Sequence, residues 1–400
     1  MVAELIMEAS NILRKRVNDD TSIPHSGNMS QASAQSSNQA YFRSQEYYIH
    51  HESFKLFVGS WNVGGIRPPD NLNLDKLLNT EDTMADIYVL GFQEIVPLNA
   101  GNILATENSD VSVKWNSFIK AALNKRTPAE DTLQKTEIGE SQRIYPLKTQ
   151  SSTKSNATDY KCIISKQMVG IYITIWARTE LHQYISNLGV SCVGCGILGR
   201  LGNKGSVSIR FCLHETSFCF VCSHLASGGK EGDERHRNAD AAHILARTLF
   251  LPEPLQHLPR KILDHDRVIW LGDLNYRIHL PEDTTRSLVK NKEWSLLLEN
   301  DQLIAEMNKE WHEELIEFAP TYKYDQNSDD YYGSGQKIKV KRMRAPAWCD
   351  RIIWFGKGLK QIQYNRVESR LSDHRPVYAR FTAYVEVSKL PGMQNSAMSS

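Results

Sequence analysis

No run of apolar residues in this 400-residue chain is long enough to cross a bilayer. The longest clear one, MVGIYITIWA at 168–177, is well short of the roughly 20 residues that a spanning helix needs. A dominant charge is missing too. With 47 Lys and Arg against 46 Asp and Glu, no global field steers the chain to nucleic acid or acidic lipid, so an anionic partner must meet a local basic patch. The N-terminus has no basic segment ahead of its apolar residues, which argues against a secretory signal. The C-terminal SAMSS has no cysteine to prenylate. Internal repeats are absent. Seven cysteines, an odd number without a secretion signal, lead us to expect reduced thiols and a cytoplasmic protein, at most peripheral to membranes.

What is present suits a large globular core, with 41% hydrophobic and 23% charged residues. Residues 1–52 include SGNMSQASAQSSNQA, which cannot bury enough apolar area to order itself and is expected to be a disordered tail. A polar stretch at about 127–159 reads as a surface insertion, and 388–400 as a loose C-terminal tail, leaving a folded domain over 53–387. Cys192, Cys195, Cys219 and Cys222 form two C-x-x-C pairs at a spacing seen in zinc sites. The strand-like flanks FCFVCSHL lack the glycine and polar residues of a zinc knuckle, so buried free thiols are the better reading.

Strand-like runs recur at 54–62, 86–94, 167–177, 205–213, 218–224, 267–273, 348–354 and 375–385, with helical patterns at 233–250 and 293–311. Numerous strands with few helices suggest an α/β domain of two sheets packed face to face, with helices outside. Six apolar runs stop at or beside a residue able to bind metal or move a proton. These are Asn62, Glu94, His224, Asp273 with Asn275, Asp350, and Asp373 with His374. A single polar strand end is ordinarily a turn former, but two amides, four acids and two histidines exceed turn chemistry. Rigid strands holding reactive tips at solvent are where ligands bind in α/β sheets.

No Ser or Cys sits in a nucleophile-elbow context, and Cys349 lies in a bulky WCDR run. Carboxylates, amides and histidines without a side-chain nucleophile suit water attacking a phosphate ester. A hard cation such as Mg²⁺ would neutralise charge, a carboxylate would activate water and a histidine would bind phosphoryl oxygens. Glu94, with Asn62 beside it, fits the cation role.

GSWNVGG, GFQEIVPL, LGNKG, CSHLASG, WLGDLNYRI, PTYKYD, APAWCDRIIW and SDHRPV, in that order, resemble the motifs of inositol polyphosphate 5-phosphatases, within the deoxyribonuclease-like endonuclease/exonuclease/phosphatase group. The resemblance implies a four-layer sandwich of two packed, mainly antiparallel β-sheets flanked by helices. It also implies removal of the 5-phosphate from an inositol phosphate or phosphoinositide, with transient contact at a membrane surface where the substrate is lipid. Mg²⁺ would be held by Glu94 and Asn62. Asp273 would orient or deprotonate the attacking water, with Asn275 supporting the phosphate from the same side if the strand persists. His374 would contact the scissile phosphate, oriented by Asp373 or Asp350, and His224 would add a second donor. Tyr322, Lys323, Arg342 and Arg344 would surround the substrate's 4-phosphate, Arg suiting a phosphate monoester. Asn203 and Lys204 would contact the 1-phosphate side. Ser206 and Glu314 replace glycines of the family pattern without removing a reactive group. The alternatives are a nuclease of the same fold, for which the near-neutral charge gives no support, and a catalytically dead phosphoinositide-binding scaffold, which would require a lost key residue.

Overall fold

The computed structural model describes residues 48–80, 84–104, 109–124, 159–196, 199–251, 258–334 and 344–389. Strands are β1 (Tyr48–Asn62), β2 (Ile87–Gln93), β3 (Tyr160–Met168), β4 (Ile171–Arg178), β5 (Ile185–Gly194), β6 (Gly205–Leu213), β7 (Thr216–His224), β8 (Arg267–Asp273), β9 (Trp311–His312), β10 (Asp350–Phe355), β11 (Leu359–Arg366) and β12 (Val377–Lys389). They make two six-stranded sheets, ordered β11-β12-β1-β2-β4-β3 and β5-β6-β7-β8-β10-β9. Each sheet is antiparallel apart from one pair, β1 with β2 in the first and β7 with β8 in the second. The longer helices are α1 (Asp110–Leu123), α2 (Glu234–Arg247) and α3 (Glu282–Lys290).

The alternation of side chains along each strand builds the layers. Leu56, Val58, Ile87 and Val89 of the first sheet share one buried cluster with Phe220, Cys222, Ile269, Leu271 and Ile352 of the second. Their sequence neighbours face outward: Phe57, Tyr88 and Leu90 pack with Trp115 and Phe118 of α1, and Val221, Val268 and Trp270 pack with Ile244 of α2. The sheets meet closely at Gly91, where a β-carbon would lie 2.8 Å from both the Cys222 sulfur and a Leu271 methyl.

The two-sheet expectation holds, with differences at the margins. β1 begins at Tyr48, inside the segment read as a tail, because Tyr48–Glu52 pair with Lys389–Val385. Residues 48–52 thus pair with 385–389, and the polar YIHHES concealed it. The remaining N-terminal residues, the body of the insertion and 390–400 lie outside the described residues. Asn124 donates to the Tyr160 carbonyl (3.1 Å) and accepts from its amide (2.8 Å), which joins the described residues on either side of 125–158. Cys219 and Cys222 belong to clusters on opposite faces of β7 and Cys192 is exposed, which removes the zinc alternative for this quartet.

The helix expected over 293–311 is broken into Trp294–Leu298 and Gln302–Glu306. Asp301 interrupts it, capping the second piece through Leu303 N and Ile304 N while its carboxylate also accepts from Arg351 at 2.8 Å. Arg351 is fully buried and its guanidinium also pairs with Glu313 (Nε to Oε1 2.7 Å). Removing the cation would strand two buried carboxylates. Arg351→Met should therefore lower unfolding stability by about 3–5 kcal/mol, read from a urea midpoint, and a loss below about 1 kcal/mol would contradict this role for the cluster.

Candidate active site

The inner-face parity of the strands continues to their tips. In β7 the inner residues Phe220 and Cys222 lead to His224, in β8 Ile269 and Leu271 lead to Asp273, and in β10 Ile352 is preceded by Asp350. Register aligns them, since His224 pairs with Asp273 across the parallel β7–β8 ladder and Asp273 with Asp350 across the antiparallel β8–β10 ladder. From the first sheet, Leu56 and Val58 lead to Asn62, and Glu94 follows β2 with φ of 53°. Six of the expected residues thus meet at one end of the sandwich, His374 joining from the turn before β12.

Asp273 is the hub. Its Oδ2 accepts from Asn62 Nδ2 at 2.9 Å and lies 3.2 Å from His224 Nε2 and 3.8 Å from His374 Nε2. His374 Nδ1 bonds Asp350 Oδ2 at 2.8 Å, and Thr321 Oγ donates to the same oxygen at 2.7 Å. Asp350 is therefore the orienting acid, and Asp373 is not. Asp373 instead accepts from Lys323 Nζ at 2.7 Å. Asp273, Asp350 and His374 each bring a potential metal-ligand atom within 4.8 Å of the others. Glu94 stands on the solvent side, its side chain 29% exposed, 3.8 Å from His224 and 3.4 Å from Asn62.

Two placements differ from expectation. β8 ends at Asp273, so Asn275 does not project as a strand neighbour: its φ is 59°, and the turn is held by Asp273 Oδ1 accepting from Asn275 N at 3.1 Å. Its side chain donates to Leu225 O and accepts from Arg277 Nη2 at 2.6 Å. Lys204, expected toward the 1-phosphate side, has its amine in short contact with His224 Nε2, beside Asp273. Asn203 beside it turns toward Gly196. Tyr322 is buried with its ring 4.4 Å from that of His374, and its hydroxyl accepts from Arg344 Nη1 at 2.6 Å. Tyr322, Lys323 and Arg344 therefore adjoin the centre as a group, whereas Arg342 lies outside the described residues.

Arg277 and Thr321 were missed by sequence reading, although both lie inside quoted motifs. The Arg277 guanidinium lies over the Tyr322 ring, 4.6 Å from its centre, and so joins the group formed by Tyr322 and the tilted His374 ring. Its place two residues after Asn275 was the available signal.

Burial opposes every charge here, and partners decide the outcome. Burial would depress His374, but Asp350 and then Asp273 outweigh it and push the imidazole up to about 9. Burial would raise Asp273, but His374 and His224 hold it well below the usual carboxylate range. Burial and then the Lys204 amine depress His224, which stays neutral, and burial brings Lys204 down to about 8 despite Asp273 and Glu94. The arrangement sets a fixed anion, an imidazolium donor and a half-buried amine side by side, a set suited to phosphoryl oxygens and an attacking water.

Because the His374 pKa is raised above the ordinary 6.5, its protonation stabilises the fold fully below about 6.5 and ceases to do so as pH rises through about 9. In metal-free protein, NMR titration of His374 should show a midpoint near 9. Asp350→Asn, which leaves burial but removes the nearest anion, should bring it down by more than about one unit. An unchanged midpoint would contradict the pairing.

The sequence matches the endonuclease/exonuclease/phosphatase family 2 over residues 59–380. Type IV inositol polyphosphate 5-phosphatase 9 of Arabidopsis thaliana is 57% identical, covering 84% of this chain and 79% of that protein. Type I inositol polyphosphate 5-phosphatase 8 of the same plant is 50% identical, covering 83% and 71%. The inositol polyphosphate 5-phosphatase domain of SPsynaptojanin, solved with inositol (1,4)-bisphosphate and calcium, aligns at TM-score 0.66 and 31% identity over 85% of this chain and 87% of that one. A ferrous NO complex of Cimex nitrophorin aligns at TM-score 0.56 and 19% identity over 83% of this chain and 99% of that one, showing the shared fold alone. With the motif residues gathered at one end of the sandwich and relatives this similar over most of its length, the chain belongs to the inositol polyphosphate 5-phosphatases, phosphoric monoester hydrolases of the endonuclease/exonuclease/phosphatase family.

Proposed function

We propose that this protein is a Mg²⁺-dependent hydrolase of the 5-phosphate of inositol 1,4,5-trisphosphate and of the phosphatidylinositol 4,5-bisphosphate headgroup. The observation that carries the reading is the junction of two charge environments. The Asp273–His374–Asp350 cluster adjoins, through the Tyr322 ring, the cations Lys323 and Arg344. A substrate whose reacting phosphate meets His374 would set a neighbouring ring phosphate against those cations. That the SPsynaptojanin domain was solved with inositol (1,4)-bisphosphate, the ring left when such a trisphosphate loses its 5-phosphate, supports the same class of substrate.

Glu94 fits a hard cation, as a solvent-facing carboxylate whose nearest donor, Asn62, is a weak 3.4 Å away. Asn62 turns its amide nitrogen to Asp273 and Glu94 while its oxygen accepts from Gly64 N, so its help is to orient both acids. When bound, Mg²⁺ would neutralise phosphoryl charge. His374, held as an imidazolium, donates to a phosphoryl oxygen, and Lys204, set against His224 Nε2, supplies a further donor on the β7 side. Asp273 is a weak base because its carboxyl is so acidic, which favours it as the group that aligns water for in-line attack over one that takes the proton. Asn275 fixes the β8 turn through Leu225 and Arg277 rather than reaching out to substrate.

Purified protein with Mg²⁺ should release phosphate from inositol 1,4,5-trisphosphate, and EDTA should abolish release. Asp273→Asn should keep the melting temperature within a few degrees and lower kcat by about two to four powers of ten. Cleavage of nucleic acid with no inositide turnover would refute the assignment.

A further inference from the structure

Arg286 lies on α3, outside the hydrolytic centre, and the guanidinium reaches across to the substrate side. Its Nε donates to Glu282 Oε1 at 2.8 Å, one turn earlier on the same helix. Its Nη2 donates to two carbonyls, those of Tyr332 at 2.7 Å and Arg344 at 3.1 Å, and Nη1 approaches Ser334 Oγ at 3.4 Å. Both carbonyls belong to the backbone that carries the cations of the candidate phosphate subsite. Arg344 is itself one of them, donating to Tyr322. Tyr332 donates its amide to the Lys323 carbonyl at 2.8 Å and sets its ring 5.3 Å from the Lys323 amine. One side chain thus braces both Lys323 and Arg344 from behind.

A guanidinium has five N–H donors in a rigid fork. Four contacts within the protein already engage Arg286, leaving it poorly placed to take a phosphate itself and well placed to hold groups that do. Lysine could keep the charge but not the fork.

We infer that Arg286 is a positioning residue that sets the spacing of Lys323 and Arg344 and so determines preference for a substrate bearing a phosphate next to the one removed. Glu282 holds Arg286 in that orientation. The inference rests on the subsite reading proposed above. Loss of the brace leaves Asp273, His374 and Asp350 in place, so it acts on binding of the non-reacting phosphate and not on the chemical step.

Steady-state kinetics on inositol 1,4,5-trisphosphate and inositol 1,5-bisphosphate test it, with melting temperatures recorded for each variant. For Arg286→Gln we expect KM for the trisphosphate to rise about tenfold with kcat within about twofold, and KM for the bisphosphate to stay unchanged. Arg286→Lys should behave like Arg286→Gln, because charge alone cannot brace two carbonyls, and it carries the test should the Gln variant fail to fold. Equal losses on both substrates, a fall confined to kcat, or full recovery by Arg286→Lys would overturn the inference. Wild-type protein that binds both substrates alike would refute the subsite reading and this inference with it. Wild-type discrimination retained by Arg286→Gln would refute the role of Arg286 alone.

Discussion

The 2.8 Å hydrogen bond from His374 to Asp350 crosses the boundary between the two sheets, joining the turn before β12 to the first residue of β10. Everything reactive in the site is arranged around it. It fixes which imidazole nitrogen faces Asp273, it keeps the ring charged, and it leaves Asp273 with a neighbouring cation that holds its own proton off. Neither sheet contains this site alone. The hydrolytic centre is a property of the packed sandwich, and face-to-face packing at Gly91, where there is no room for a side chain, brings the strand tips together.

Strand alternation supplies the rest. In β7 and β8 the inner face is apolar up to His224 and Asp273, so a buried mount carries a polar tip without a change of phase, whereas in β1 and β2 the inner-face Ser60 and Gln93 bond each other beneath Asn62 and Glu94. The same alternation separates the two cysteines of β7 into different layers. It also accounts for a fold shared with proteins of other chemistry, such as a nitrophorin at 19% identity, since the packed interior does not dictate what is placed at its end.

Much of this was legible in the sequence, for physical reasons that also set the limits. β6 and β8 were read to the residue because apolar runs with abrupt polar ends mark buried strands. β5 and β11 escaped because their exposed positions dilute the pattern, and the 293–311 helix was over-read because periodicity does not register a buried ion pair that pulls Asp301 inward. In the site, residue identities came from strand ends and motif likeness, but pairings did not. That Asp350 and not Asp373 holds His374, that Lys204 sits against His224, and that Asn275 turns away after Asp273 all depend on register and on a left-handed turn. No local pattern encodes those.

In the proposed reaction water attacks phosphorus directly, with no covalent intermediate on the Asp, His or Lys side chains of the centre. The stereochemical course tests it most directly, using a substrate whose 5-phosphate is an isotopically chiral phosphorothioate. A single in-line displacement predicts inversion of configuration at phosphorus. Retention, which requires two displacements and a covalent phosphoenzyme, would contradict the account.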